Sequence, residues 1–279
     1  MKIINFFPIL LIPISCISQN VSEKYIIDDD GISVEKNDSK KKYDEIYNSN
    51  NEIYKIGRIF TFSYYYENLN GKKFLIAKGD EIKKENYSIF DWKFIEIENQ
   101  NDETVNKINL KPIAGNPFQS QIDDYNQTGI SYEFIMNNER PLTMEVTGAF
   151  ENEMNVWIHP PRSSFFQILE INPFPYIKAP YKIGTKWNWK LGIGDHWSDK
   201  RWLEWKGGIE NNYEYEIVDK KNISTKLGNL ECYIVNAKAK SRIGETELIS
   251  YFNLKYGFVK LEYKNIDGTK TILELEKVE

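Results

Sequence analysis

Six segments near the C-terminus, Thr185–Ile193, Tyr213–Asp219, Leu230–Ala239, Glu245–Asn253, Phe258–Lys264 and Thr269–Glu276, are rich in strand-forming residues, and the last four stand only a few residues apart. Turns such as Lys226–Asn229 and Ile266–Gly268 are too short for the crossover that a parallel pair needs, so these neighbours must run antiparallel. Their side chains alternate. Tyr213, Tyr215 and Ile217 fall on one side of a strand and Glu214 and Glu216 on the other, while Val259, Leu261 and Tyr263 share a side opposite Lys260. Such strands bury one face and wet the other, and a curled antiparallel sheet or open barrel is their natural product. Composition points the same way: the chain has six alanines against 37 isoleucines, and alanine favours helices where isoleucine and the aromatics favour pleated strands. The expected fold class is mainly β.

The N-terminal half reads similarly. Ile59–Tyr66 is aromatic and β-prone, Asn70-Gly71 is a hairpin turn before Phe74–Ile76, and Ile89–Ile97, Gly129–Ile135, Leu142–Thr147 and Asn155–His159 are further strand candidates. Residues 99–127, rich in Asn, Asp and Gln, read as loop. One short helix is expected in Pro160–Leu169, with a serine capping its start and Phe165, Ile168 and Leu169 on one face. Five of the ten prolines lie between 160 and 180, which makes the stretch that follows an extended connector. The expected organisation is a leader over 1–18, a polar and charged segment over 19–57, a β-rich lobe over 58–159, a helix and Pro/aromatic connector over 160–181, and an antiparallel β lobe over 182–279. The Asp28–Asp30 run lacks the alternating acids of a calcium loop and reads as a solvated turn.

The leader carries one early charge, Lys2, then a short apolar run from Ile3 to Ile14, then Ser15-Cys16-Ile17-Ser18. This is the layout of an export signal, and the run is too short to span a bilayer. Two cleavage sites fit. A cut after Ser18 places Cys16 and Ser18 at the small positions of an ordinary signal-peptidase site. Alternatively Ile12–Cys16 resembles a lipobox, with Pro13 where leucine is usual, and Cys16 becomes a lipidated N-terminus. Cys232, in the apolar context Leu230–Val235, then stands alone and reads as a buried structural thiol.

The candidate site residues centre on tryptophan. Trp187, Trp189, Trp197, Trp202 and Trp205 lie within nineteen residues, and Trp187 and Trp189 share a strand face. They either fill a core or form an aromatic floor for a lipid, a glycan or a hydrophobic peptide, with His196 and the scarce Arg162 as polar neighbours. The only histidines are His159 and His196, without metal-ligand spacing, so no metal and no cofactor is expected. Asp195 is next to His196, but adjacent strand positions face opposite ways, and no Gly-x-Ser-x-Gly elbow exists. No catalytic set assembles from the sequence. A net charge of −5 argues against nucleic acid as a partner.

Gly184–Trp187, Tyr215–Ile217, Thr225–Gly228, Cys232–Val235, Tyr251-Phe252 and Tyr256–Lys260 together resemble the TapB-like cell-envelope β-proteins, related in architecture to open barrels of the LolA/LolB type. The resemblance covers about a third of the chain, roughly 183–276, and implies an envelope location and an open β-barrel but no catalytic residues. The Ile-rich, Ala-poor texture is similar to that of Bacteroidota envelope proteins. The expected function is that of an exported, non-enzymatic binding or scaffold protein holding an apolar or lipid-like ligand on a curved sheet. The alternatives are a glycan- or lipid-directed hydrolase using His159 or His196 with a carboxylate, and a purely structural assembly protein.

Overall fold

A computed structural model describes residues 25–27, 31–36, 47–83, 85, 88–122 and 125–279. The leader 1–18, with Cys16 and both cleavage alternatives, lies outside the described residues, as do Asp28–Asp30 and Lys40–Lys42. Strands β1 (Tyr25–Ile27) and β2 (Ser33–Glu35) form a small hairpin. The first half of the main sheet contains β3 (Phe60–Glu67), β4 (Lys73–Lys83), β5 (Ser88–Glu96), β6 (Val105–Pro112), β7 (Thr128–Met136), β8 (Pro141–Glu151), β9 (Asn155–Ile158) and β10 (Tyr176–Lys178). The second half contains β11 (Lys186–Ile193), β12 (Ile209–Thr225), β13 (Gly228–Ser241), β14 (Gly244–Asn253), β15 (Gly257–Lys264) and β16 (Lys270–Val278).

Twelve of these strands form one antiparallel path, β10-β9-β8-β7-β6-β3-β16-β15-β14-β13-β12-β11, with the β4–β5 hairpin branching from β3. All six C-terminal segments expected from the sequence are strands, and alternation sets their faces: in β12, Tyr213, Tyr215 and Ile217 are buried, whereas Glu214 is exposed. The Asn70-Gly71 turn forms as expected. Gly71 takes the left-handed φ of +75° that an L side chain disfavours, and Asn68 Oδ1 accepts from the Asn70 and Lys72 N–H groups. The two halves share one sheet, because β16 pairs with β3, and they share one core. The sheet curls into an almost closed barrel. Its two edge strands meet through side chains, Tyr176 of β10 edge-on to Trp187 of β11 with ring centroids 5.5 Å apart.

Three expectations are corrected. The stretch 99–127 is not all loop: β6 runs through it, with Val105, Ile108 and Leu110 buried between polar residues. The segment expected to be a solvated leader packs in part on the barrel. Ile32, Val34, Ile53 and Tyr54 join the core, and Glu151 accepts the N–H groups of Glu52, Ile53 and Tyr54, each at 2.7 Å. The short helix forms as a 3-10 helix over Ser164–Ile171, without its serine cap, because the Ser163 hydroxyl donates to Glu145 instead.

That helix and the connector after it fill the barrel. Ser164 turns with a left-handed φ of +55°, and Phe165, Phe166, Ile168 and Leu169 behind it are buried. Phe166 meets Tyr64 of β3 and Phe134 of β7, while Phe174 meets Trp189 of β11 and Tyr213 of β12. Backbone carbonyls carried indoors need donors. Ile171 O accepts from Asn211 Nδ2 at 3.0 Å and Thr246 Oγ1 at 2.9 Å, and Phe174 O accepts from the Tyr215 hydroxyl at 3.1 Å. The prolines that forbid a regular helix therefore make an internal plug, clamped by the wall.

Candidate binding site

The plug leaves a cavity of about 300 Å³ on one side, between β8, β9 and β11. Trp157, Phe174 and Trp189 form its aromatic wall, Phe118 and Ile122 close it from the 113–122 segment, and His159 and Arg162 supply polar groups. The three wall rings hold one another edge-on or tilted, at centroid distances of 5.5 to 5.9 Å. Gly148 of β8 forms part of the floor. A Cβ there would stand 2.3 Å from the Tyr125 hydroxyl and closer still to Gln127 Oε1, so only glycine lets these side chains lie over the strand. A second recess, a cleft of about 620 Å³, lies on the other side of Arg162 and is bordered by Glu145, Ser163, Ser164, Gln167, Phe90 and Trp197.

A buried polar cluster joins the two spaces. His159 Nδ1 bonds Pro160 O at 2.8 Å, and Nε2 faces Glu170 Oε1 at 3.5 Å. Burial pushes His159 down to about 3, with Arg162 adding to the effect, so the ring is neutral at physiological pH. Burial likewise raises Glu170 to about 8, Arg162 opposing, so its carboxyl keeps its proton at pH 7. Glu145 rises to about 6 because burial outweighs its bonds to Ser163 Oγ and the Arg162 N–H. The Arg162 guanidinium, partly buried, makes one bond, from Nη2 to Val146 O at 3.3 Å, and lies 5.8 Å over the Trp197 ring. No carboxylate among the described residues lies within salt-bridge distance of it.

The five expected tryptophans separate. Trp189 lines the cavity and stacks on its cross-strand partner Tyr213 at 4.9 Å. Trp187 stacks on Tyr215 at 5.2 Å and seals the barrel edge. Trp205 packs with Ile171, Ile193 and Ile209 in a separate small cluster, and Trp202 is buried in the main core. Trp197, half-buried, borders the cleft on a 3-10 turn with His196, whose ring lies against Gly194. Asp195 does not orient His196; its carboxylate accepts the Gly207 N–H at 2.8 Å. The structure thus joins Trp189, Arg162 and Trp197 around the two spaces and leaves Trp187, Trp202, Trp205 and His196 outside them. Trp157, Phe174, Glu145 and Glu170 were not singled out from the sequence. Phe174 lies in the Pro/aromatic connector, but nothing local marks Glu145 or Glu170 as buried.

Cys232 is fully buried, and burial pushes its thiol up to about 11. No group of three or more potential metal ligands converges among the described residues, and no helix among them is long and apolar enough to cross a membrane.

No family model and no curated protein matches the chain. Three solved structures are similar to the chain, at low identity and with TM-scores below 0.5. An inferred exported protein with a YmcC-like fold from Bacteroides fragilis is 11% identical, covering 81% of this chain and 97% of that one, with a TM-score of 0.41. An inferred lipoprotein from Parabacteroides distasonis is also 11% identical with the same coverage, at a TM-score of 0.42. The hypothetical lipoprotein YmcC from Escherichia coli is 7% identical, covering 79% of this chain and 83% of that one, at 0.33.

Proposed function

We propose that this chain is an exported envelope protein that binds a small apolar ligand without transforming it. The observation that carries the reading is the cavity of about 300 Å³ walled by Trp157, Phe174 and Trp189 beside the plug. Space and wall chemistry match the lower end of small-molecule sites. At about 30 Å³ per water-sized group, it holds about ten such groups: a single ring or a short chain rather than a whole lipid. The export signal over 1–18 supports the address. Binding rather than proton transfer is supported by His159, whose two nitrogens face Pro160 O and Glu170 within the fold.

The test is tryptophan emission during titration with bromobenzene, a neutral heavy-atom quencher that fits the cavity. Saturable quenching is expected, reduced in Trp189→Phe and kept in Trp187→Phe, because only Trp189 of the pair lines the space. Quenching that stays linear with concentration, as in free solution, overturns the reading.

A further inference from the structure

The groups around the aromatic cavity are unequally divided between hydrogen-bond donors and acceptors. The indole N–H groups of Trp157 and Trp189 are buried and without a partner, as are those of Trp187, Trp202 and Trp205 away from the cavity, so by themselves they mark no ligand. Arg162, on the wall between cavity and cleft, uses one of its five N–H donors, on Val146 O. Apart from Glu170 Oε1, which is buried without a hydrogen-bond partner, the acceptors nearby are engaged. The two oxygens of Glu145 accept from the Ser163 hydroxyl and the Arg162 main-chain N–H. Gln127 Oε1 accepts from the Tyr125 hydroxyl at 3.4 Å, and His159 Nε2 faces Glu170. Arg162 borders both spaces with spare donors, and the nearest carboxyl, Glu145, acts on it only from beyond salt-bridge distance. A ligand that brings oxygen acceptors and one negative charge would use those donors.

We infer that the cavity takes a small monocarboxylate, its apolar body against Trp157, Phe174 and Trp189 and its carboxylate on the Arg162 guanidinium. The inference rests on the proposed binding function and adds the charge and polarity of the ligand. Planar, forked donors suit a carboxylate better than a point charge does, because two parallel N–H···O bonds can form. The position of Arg162 also sets an orientation. The apolar end lies deep in the cavity and the anionic end at the boundary with the cleft, where Glu145 and Ser163 hold the Arg162 backbone in place.

The experiment is calorimetric titration of the full chain with phenylacetate, decanoate and the neutral isostere phenylacetamide, near pH 7 and low salt, on wild type, Arg162→Gln and Arg162→Lys. Phenylacetate is expected to bind at least tenfold more tightly than phenylacetamide. Arg162→Gln should remove that preference, and Arg162→Lys should restore part of it. Decanoate against phenylacetate reports whether a chain or a ring fills the space; binding of either acid with loss in Arg162→Gln supports the inference. Equal binding of acid and amide to wild type overturns the inference, and it does so even if the Arg162 variants fail to fold. If acid and amide bind equally and bromobenzene still saturates, only the carboxylate assignment falls. If bromobenzene does not saturate either, the binding function falls with it.

Discussion

Replacing Glu170 by Gln tests whether the polar cluster beside the cavity is buried and neutral. In the folded chain Glu170 is raised from its ordinary value of 4.5 to about 8, chiefly by burial. A raised carboxyl binds its proton more tightly folded than unfolded, so its contribution is full below the unfolded value and is lost as pH rises through the folded one. Between about pH 6.5 and 8 the wild type should lose about 1.6 kcal/mol, at a slope that falls from about 1.4 kcal/mol per pH unit to about half that at pH 8. The neighbours titrate elsewhere. Glu145, at about 6, acts with the same sign at lower pH, and His159, lowered from 6.5 to about 3, acts with the opposite sign below pH 6.5. Gln keeps the size of Glu170 and cannot ionise, so its advantage over wild type should widen by about 1.6 kcal/mol over that window. Urea unfolding followed by tryptophan emission, in half-unit pH steps, measures the difference. Other ionisable groups cancel between the two proteins. Parallel curves from pH 6.5 to 8 would refute the reasoning, because they would mean that Glu170 titrates alike in both states.

Three further outcomes follow from the fold. Glu151→Ala leaves the buried N–H groups of Ile53 and Tyr54 without an acceptor, at about 1–3 kcal/mol each. Stability should fall by about 2–6 kcal/mol, and limited proteolysis should begin within 47–57 rather than in the barrel strands. Phe166→Ala removes the ring that ties the plug to Tyr64 and Phe134, and should cost about 3–5 kcal/mol in the denaturant midpoint analysis. In protein cut after Ser18, Cys232, buried with its thiol raised to about 11, should react with Ellman's reagent only on unfolding; stoichiometric reaction of the native protein would contradict its place in the core.

What was legible in the sequence was local. In β12 to β16 the period-two alternation fixed which face each side chain takes, and the short turns fixed antiparallel neighbours. The lone Cys232 in an apolar strand could be placed in the core for the same reason. β6 is not legible as a strand locally, because its buried Val105, Ile108 and Leu110 are interleaved with Asn and Lys, and the bulge between Val105 and Lys107 breaks the alternation. Trp187 and Trp189 share a face as expected, yet they do different work. Only Trp189 of the two lines the gap beside the plug, and the plug touches strands from both halves of the chain, through Phe166 on Tyr64 and Phe134 and through Phe174 on Trp189 and Tyr213.

The candidate site belongs almost wholly to that second level. Glu145, His159, Arg162 and Glu170 come together because the connector turns at Ser164 into a barrel that β16 closes against β3, strands about 200 residues apart in sequence. Alternation tells a residue which side of its own strand to occupy. It does not tell a carboxylate which remote segment will cover it, and burial by remote segments holds the Glu170 proton and the neutral His159 in place. The sequence by itself determined strands, faces and antiparallel order, because these depend on neighbours a few residues away. The tertiary structure alone decided the plug, the cavity beside it and the charge states around Arg162, because these depend on which distant surfaces exclude water together.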